Sequence, residues 1–364
     1  MRKLDRYILT ETLAPLFFGL TAFTSLFIGA DLVNLSKMII RYGAPWSVLV
    51  HLLILKLPEF LVFTFPMSML MATLLSLSKL SGTSELVAMR AGGVSYYRLI
   101  IPVVLLAVTV SGAAILVNEF LVPEADQRYQ RVLYEKVYQK SLPKVTNNIM
   151  LDEYTGGKLS RIIYAVSFNN ETRTMEDVSV IQFTNGRPVQ QTTAKRLVWE
   201  KDHWYLEDGT VYLLSASGEG PVTKVSFAGG RQELPLDYQP KDIPLLQKNP
   251  EKMTLRELRA QMLVLQDNPQ KLREYQLNYH MKFSVPLASL VFAIVGAPLG
   301  IQSHRSARSI GFGLSIIIIF VYYLLLTMGS AMVQGGYLPA VVGAWGQNVV
   351  LLIAGLILIW KAPK

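Results

Sequence analysis

The sequence contains no cysteine. That excludes a disulfide framework, thiolate metal ligands and cysteine-based catalysis. Charge is scarce too: 17% of the 364 residues are charged, against roughly 25% in soluble domains. Histidine occurs only at positions 51, 203, 280 and 304, too scattered for a zinc site read from spacing. No phosphate-binding loop is present: Gly156-Gly157-Lys158 is followed by Leu159 and lacks the earlier glycine. Neither Gly-x-Ser-x-Gly nor His-Glu-x-x-His occurs, so no hydrolase motif is available. The net charge of +9 comes without a basic stripe interleaved with aromatics, which argues against a nucleic-acid binder.

What the chain has in quantity is apolar sequence. Hydrophobic residues make up 51%, and mean hydropathy is +0.33. Six runs are long enough to cross a bilayer: residues 13–35, 46–77, 97–117, 281–301, 310–332 and 341–360. The first follows Arg2, Lys3 and Arg6, exceeds a signal-peptide core in length and has no small-residue cleavage site after it, so it reads as a retained helix. Pro15 falls in the first turn of this run, and Pro58 and Pro66 predict kinks in the second. His51, Lys56 and Glu59 are ionisable groups at membrane depth, and Lys56 and Glu59 share a helix face.

Between the second and third runs lies a long polar break, residues 79–98. It reads as a short helix with Ser84 as N-cap and Glu85 in its first turn. Arg90 falls in the last turn, Gly92 and Gly93 supply a left-handed stop, and Ser95 caps the next span. After the third run the chain turns amphipathic. Pro123 is placed to open a new helix, which carries Arg128 and Arg131.

Residues 145–250 differ in kind. Segments 161–168 and 178–183 are rich in β-branched and aromatic residues. Turn signals separate such segments: Asn185-Gly186, Asp208-Gly209, Gly218-Glu219-Gly220 and Gly229-Gly230. This spacing predicts an all-β sandwich or jelly roll outside the bilayer, with Ile181 and Phe183 facing inward. Thr254 and Glu257 then form a capping box that opens a helix, and Asn268-Pro269 ends it. The fold class expected is therefore a six-helix membrane bundle with an inserted extracytoplasmic, jelly-roll-like all-β domain. Its parts are residues 1–143, with the short helix near 84–92, then 144–250, then 251–364. Basic residues in the short loops put both termini and the 84–92 helix in the cytoplasm and the β-domain outside.

Three stretches carry a resemblance to a known family. They are 84–94 (SELVAMRAGGV), Leu57-Pro58-Glu59 followed by Phe65-Pro66, and 279–300 (YHMKFSVPLASLVFAIVGAPLG). Together they resemble the LptF/LptG (YjgP/YjgQ) permeases along essentially the whole chain. Tyr322-Tyr323 fits as well. Gly346-Gln347 before Asn348 departs from an expected Pro-Asn pair. The resemblance implies a membrane subunit of an ABC transporter that extracts lipopolysaccharide from the bacterial inner membrane, with no cofactor of its own. It implies a second permease of the same type, a separate LptB-like ATPase, an LptC-like protein and a periplasmic bridge to which jelly-roll domains pass the lipid.

Site residues follow from motif and position. Glu85 is expected to contact the ATPase, with Arg90 assisting or bracing the helix. Lys37 and Arg41, at the far end of the first span, and Arg128 and Arg131, beyond the third, are expected to hold the glycolipid phosphates. For Lys37 the family's basic residues in the first span add support. Two other classes stay open: a proton-driven secondary transporter working through His51, Lys56 and Glu59, and a force-transmitting membrane scaffold that moves no substrate.

Overall fold

The computed structural model describes residues 3–138, 145–156, 158–214, 223–236, 238–246, 248–301 and 307–361. The turn signal at 218–220 and the basic residues His304 and Arg305 lie outside these. The chain divides into two compact units: residues 1–137 with 276–364, and residues 138–275. The capped helix after Thr254 falls in the second unit, whereas the sequence reading grouped it with the last three spans.

The first unit is helical. Its elements are α1 (Lys3–Tyr42), α2 (Trp46–Gly82), the short α3 (Glu85–Ala91), α4 (Tyr96–Leu116) and α5 (Val122–Val132). The long α8 (Pro269–Ile301), which belongs to this unit from Gln276 on, α9 (Ala307–Gln334) and α10 (Ala340–Lys361) complete it. Six segments are long and apolar enough to cross a membrane. The helices outrun their apolar runs: α1 starts at Lys3, so Pro15 stands in the helix interior rather than in its first turn. The α2 helix runs on through Pro58 and Pro66.

At the centre of this unit is α2, whose residues 66–74 are all buried. One face joins Ile8, Leu86, Leu99 and Ala297 in one core cluster, and the other joins Val285, Phe292, Tyr322 and Leu351 in a second. Hydroxyls inside this apolar setting are satisfied within the helix: Ser68 Oγ donates to Thr64 O at 2.6 Å and Thr73 Oγ1 to Met69 O at 2.8 Å. Close approach comes from small residues on α8. A Cβ at Gly296 would lie 3.2 Å from Leu70 and Thr73, and one at Gly300 would lie 2.9 Å from Leu77. This is the small-xxx-small logic of membrane helix contacts.

Pro123 does not open a separate helix. The helical path continues from α4 through a π-turn (Val117–Leu121) into α5, and a second π-turn (Leu133–Val137) follows. In the first π-turn the Val122 N–H reaches back to Val117 O. The next donor in that register would be residue 123, a proline with no N–H. Asn118 O is served instead from α8: Lys282 Nζ donates to it at 2.7 Å and to Asn118 Oδ1 at 3.2 Å. Lys282 is only 4% exposed.

The second unit is built on one antiparallel sheet: β1 (Val145–Thr155), β2 (Lys158–Asn169), β3 (Thr174–Thr184), β4 (Arg187–Glu200), β5 (His203–Leu213) and β6 (Thr223–Leu234). The inserted all-β domain is thus present, and its strands pair strictly in chain order. Its buried face is read by alternation: Leu151, Ile163, Val180 and Thr192 form one cross-strand row, and Ile149, Ala165, Val178 and Ala194 the next. Ile181 lies on the opposite side of β3 from Val178 and Val180, which corrects the expectation that it faces inward, and Phe183, half-buried, follows a register shift after Gln182.

Asn185-Gly186 is the predicted hairpin turn, both residues with positive φ. Asp208-Gly209 and Gly229-Gly230 are not turns. They face each other inside β5 and β6 as an irregularity of the ladder, where Gly229 N donates to Asp208 Oδ1 at 2.7 Å. Positive φ serves a bulge as well as a turn. After the sheet come α6 (Ile243–Leu246) and α7 (Leu255–Val264), the latter opened by the full Thr254/Glu257 capping box.

Candidate functional site

The short helix α3 is anchored by Leu86, 2% exposed and packed in the cluster that holds Ile8, Leu80, Tyr96 and Leu99. Burying a leucine of this kind contributes about 2 kcal/mol. Ser84 occupies the N-cap position, but in the left-handed conformation (φ 61°) and with no capping hydrogen bond from its side chain. Thr83 acts on the carboxylate instead, its Oγ1 donating to Glu85 Oε1 at 2.9 Å. The stop is as expected: Gly93 has φ 84°, and Val94 N reaches back to Met89 O at 3.1 Å. Ser95 caps α4 by accepting from Arg98 N.

Glu85 is held from both sides. Its second oxygen accepts a hydrogen bond from the Tyr7 hydroxyl of α1 at 2.5 Å. The Tyr7 and Thr83 hydroxyls hold the Glu85 carboxyl below the usual carboxylate range. Arg90, five residues on, lies about 140° round the helix from Glu85 at roughly 100° per residue. It borders a cleft of ≈ 580 Å³ lined also by Val87, Val94, Tyr96, Tyr97 and Ile359. The two charged residues of α3 therefore address different surroundings, and Val87 between them is 64% exposed.

Of the four basic residues expected to hold phosphates, Lys37 and Arg41 are exposed on α1, and among the described residues neither has an ion-pair partner. Arg131 is exposed on α5. Arg128 is already engaged, its Nη2 donating to Glu124 Oε1 at 2.5 Å. Among the described residues no hydrogen bond or ion pair joins the α1 pair to the α5 pair.

The residue that brings their helices together is Lys56. Its Nζ lies 2.9 Å from Asp31 Oδ2 on α1 and 5.5 Å from the centre of the Tyr129 ring on α5. In the sequence only Glu59, three residues away on the same face, stood out as its neighbour. Long-range packing puts Asp31 there, a pairing that no spacing rule reveals. Lys282 went unremarked for the same reason: its partner Asn118 is 164 residues away.

Comparison with known proteins agrees with this architecture. The family described as lipopolysaccharide export system permease LptF/LptG matches residues 6–361. The lipopolysaccharide export system permease protein LptG of Escherichia coli strain K12 is 22% identical over 306 residues, covering 80% of this chain and 79% of that protein. The LptG protein of E. coli O6:H1 aligns to the same extent. With the matched region spanning all six apolar helices and the inserted sheet, the chain belongs to the LptF/LptG family of lipopolysaccharide export permeases.

Proposed function

We propose that the chain is the membrane half of an ATP-driven extractor of lipopolysaccharide or a related glycolipid. A separate ATPase subunit of LptB type docks at α3, and a second LptF/LptG-type permease completes the cavity. An LptC-like protein and a periplasmic bridge receive the lipid from the β-domain. In this reading both termini and α3 are cytoplasmic and the sheet is periplasmic. The observation that carries it is Glu85. It is a carboxylate on a short helix between two spans, pre-oriented by two hydroxyls and held ionised, in a chain without a phosphate loop. Such a carboxylate is suited to a cationic side chain of a partner, and truncating one member of a desolvated charge pair costs roughly 2–5 kcal/mol.

Lys37 and Arg41, exposed and without an ion-pair partner among the described residues, are assigned to the glycolipid phosphates, with Arg131 secondary and Arg128 weakened by its bond to Glu124. The apolar face of the sheet around Val178 and Val180 is assigned to the acyl chains.

The test is Glu85→Ala. The ATPase is expected to be lost on purification while the permease remains folded by near-native thermal melting. A variant that retains the ATPase and its activity would refute the docking assignment. Crosslinking of glycolipid that proceeds equally with and without ATP would refute the transport reading itself.

A further inference from the structure

We propose that α1 moves as one body with the α3 docking helix and the ends of α2 and α4 that flank it, and that Tyr7 is the positioning residue joining α1 to α3. The claim rests on the reading that the ATPase docks at Glu85, and it adds the route by which the stroke enters the membrane. Three contacts from the first turns of α1 bracket α3. Glu11 pairs with Lys79, just before it, at 2.5 Å. Tyr7 holds Glu85, within it, at 2.5 Å. Asp5 pairs with Arg98, just after it, at 2.7 Å. Beneath them Ile8 of α1 and Leu86 of α3, 0% and 2% exposed, share one buried cluster. A hinge between two elements would not be tied before, within and after the moving part, with an apolar anchor below.

From this clamp α1 runs without a break to Tyr42. At 1.5 Å per residue, Tyr7 and Lys37 are about 45 Å apart along the axis. A displacement of α3 is therefore delivered to the end of the helix that carries Lys37 and Arg41. Tyr7 also sets the state of the docking carboxylate, since its hydroxyl is the largest cause of the lowered Glu85 ionisation range.

The experiment uses the full chain, purified with its ATPase and partner permease in nanodiscs containing lipopolysaccharide. Tyr7→Phe keeps the ring and removes the donor. Glycolipid captured per ATP hydrolysed by the ATPase that copurifies is expected to fall by about five-fold or more, the low end of inter-site coupling. The acid limit of ATPase retention should also move to higher pH, because Glu85 loses its main stabilising donor; a purely structural role for Tyr7 would leave that limit in place. An unchanged capture ratio overturns the proposal.

Should Tyr7→Phe not fold, or not hold the ATPase, a second variant decides. The chain has no cysteine, so Glu11→Cys with Lys79→Cys can be bridged by a short bis-methanethiosulfonate. Bridged protein should extract as well as unbridged protein, because α1 and the end of α2 beside α3 move together. A block released by reduction would overturn the idea. Glu85→Ala run alongside separates the cases: if it retains the ATPase the docking reading fails, and the bridged pair still reports on the joint motion.

Discussion

Lys282→Met is expected to destabilise the helical unit by about 2 kcal/mol, and Pro123→Ala is expected to reduce that loss. The ammonium serves Asn118 O at 2.7 Å and Asn118 Oδ1 at 3.2 Å from a position 4% exposed. A hydrogen bond to a charged group contributes roughly 1.5–3 kcal/mol, and an orphaned buried acceptor costs about 1–3 kcal/mol. Against this, methionine removes the penalty of keeping an ammonium out of water. The shorter bond and the orphaned carbonyl outweigh that gain, leaving about 2 kcal/mol, or roughly 30-fold in the unfolding equilibrium. The second substitution supplies the logic. In the π-register Asn118 O awaits the N–H of residue 123, which proline lacks. Alanine at 123 restores that donor, so Lys282→Met in the Pro123→Ala background should cost about 1 kcal/mol less than in the native one. The assay is reversible SDS unfolding in mixed micelles, followed by circular dichroism, on the four proteins of the cycle. If Lys282→Met were as stable as the native chain, desolvation would dominate and the reasoning would fail. An equal cost in both backgrounds would show that lysine and proline are not linked through this carbonyl.

Two further outcomes can be checked directly. Burial pushes the Glu257 carboxyl up, but the Thr254 backbone N–H and the Lys248 ammonium outweigh it, and the net shift is downward. The folded-state value being depressed, its stabilisation is present above the unfolded value of about 4.3 and lost as pH falls through the folded one. Thermal melting of Glu257→Gln should therefore lie below the native curve at pH 7 and merge with it toward pH 3; a gap of equal size at both pH values would rule this out. Lys37→Asp with Arg41→Asp should lower ATP-driven glycolipid release from reconstituted vesicles several-fold while the ATPase stays bound. Unchanged extraction would place the phosphate site elsewhere.

Legibility in the sequence followed the range of the interaction. The six spans were readable because crossing a bilayer demands about twenty apolar residues in a row. The Thr254/Glu257 box and the Asn185-Gly186 turn were readable because each is complete within four residues. The helix ends were not: α8 begins at Pro269, ahead of the run at 281, because amphipathic turns continue a helix past its apolar part. Asp208-Gly209 and Gly229-Gly230 carried true positive-φ signals, yet whether such a pair makes a turn or a bulge depends on what faces it across the sheet.

By itself the sequence determined the class of the protein: a membrane bundle interrupted by a β-domain, the position of α3, and the choice of Glu85, Lys37 and Arg41 as charges to examine. The class and the position of α3 follow from composition, periodicity and local capping, which act over a few residues; the choice of charges drew also on the resemblance to the permease family. Only the tertiary structure decided the partners: Tyr7 for Glu85, Asp31 for Lys56, Asn118 for Lys282, and Val180 rather than Ile181 on the buried face of the sheet. Most of these pairings join helices distant in the chain, and a charged side chain in an apolar bundle takes whichever complementary group the packing brings within reach. The sheet face is settled by strand register, where a shift of one residue exchanges inside for outside.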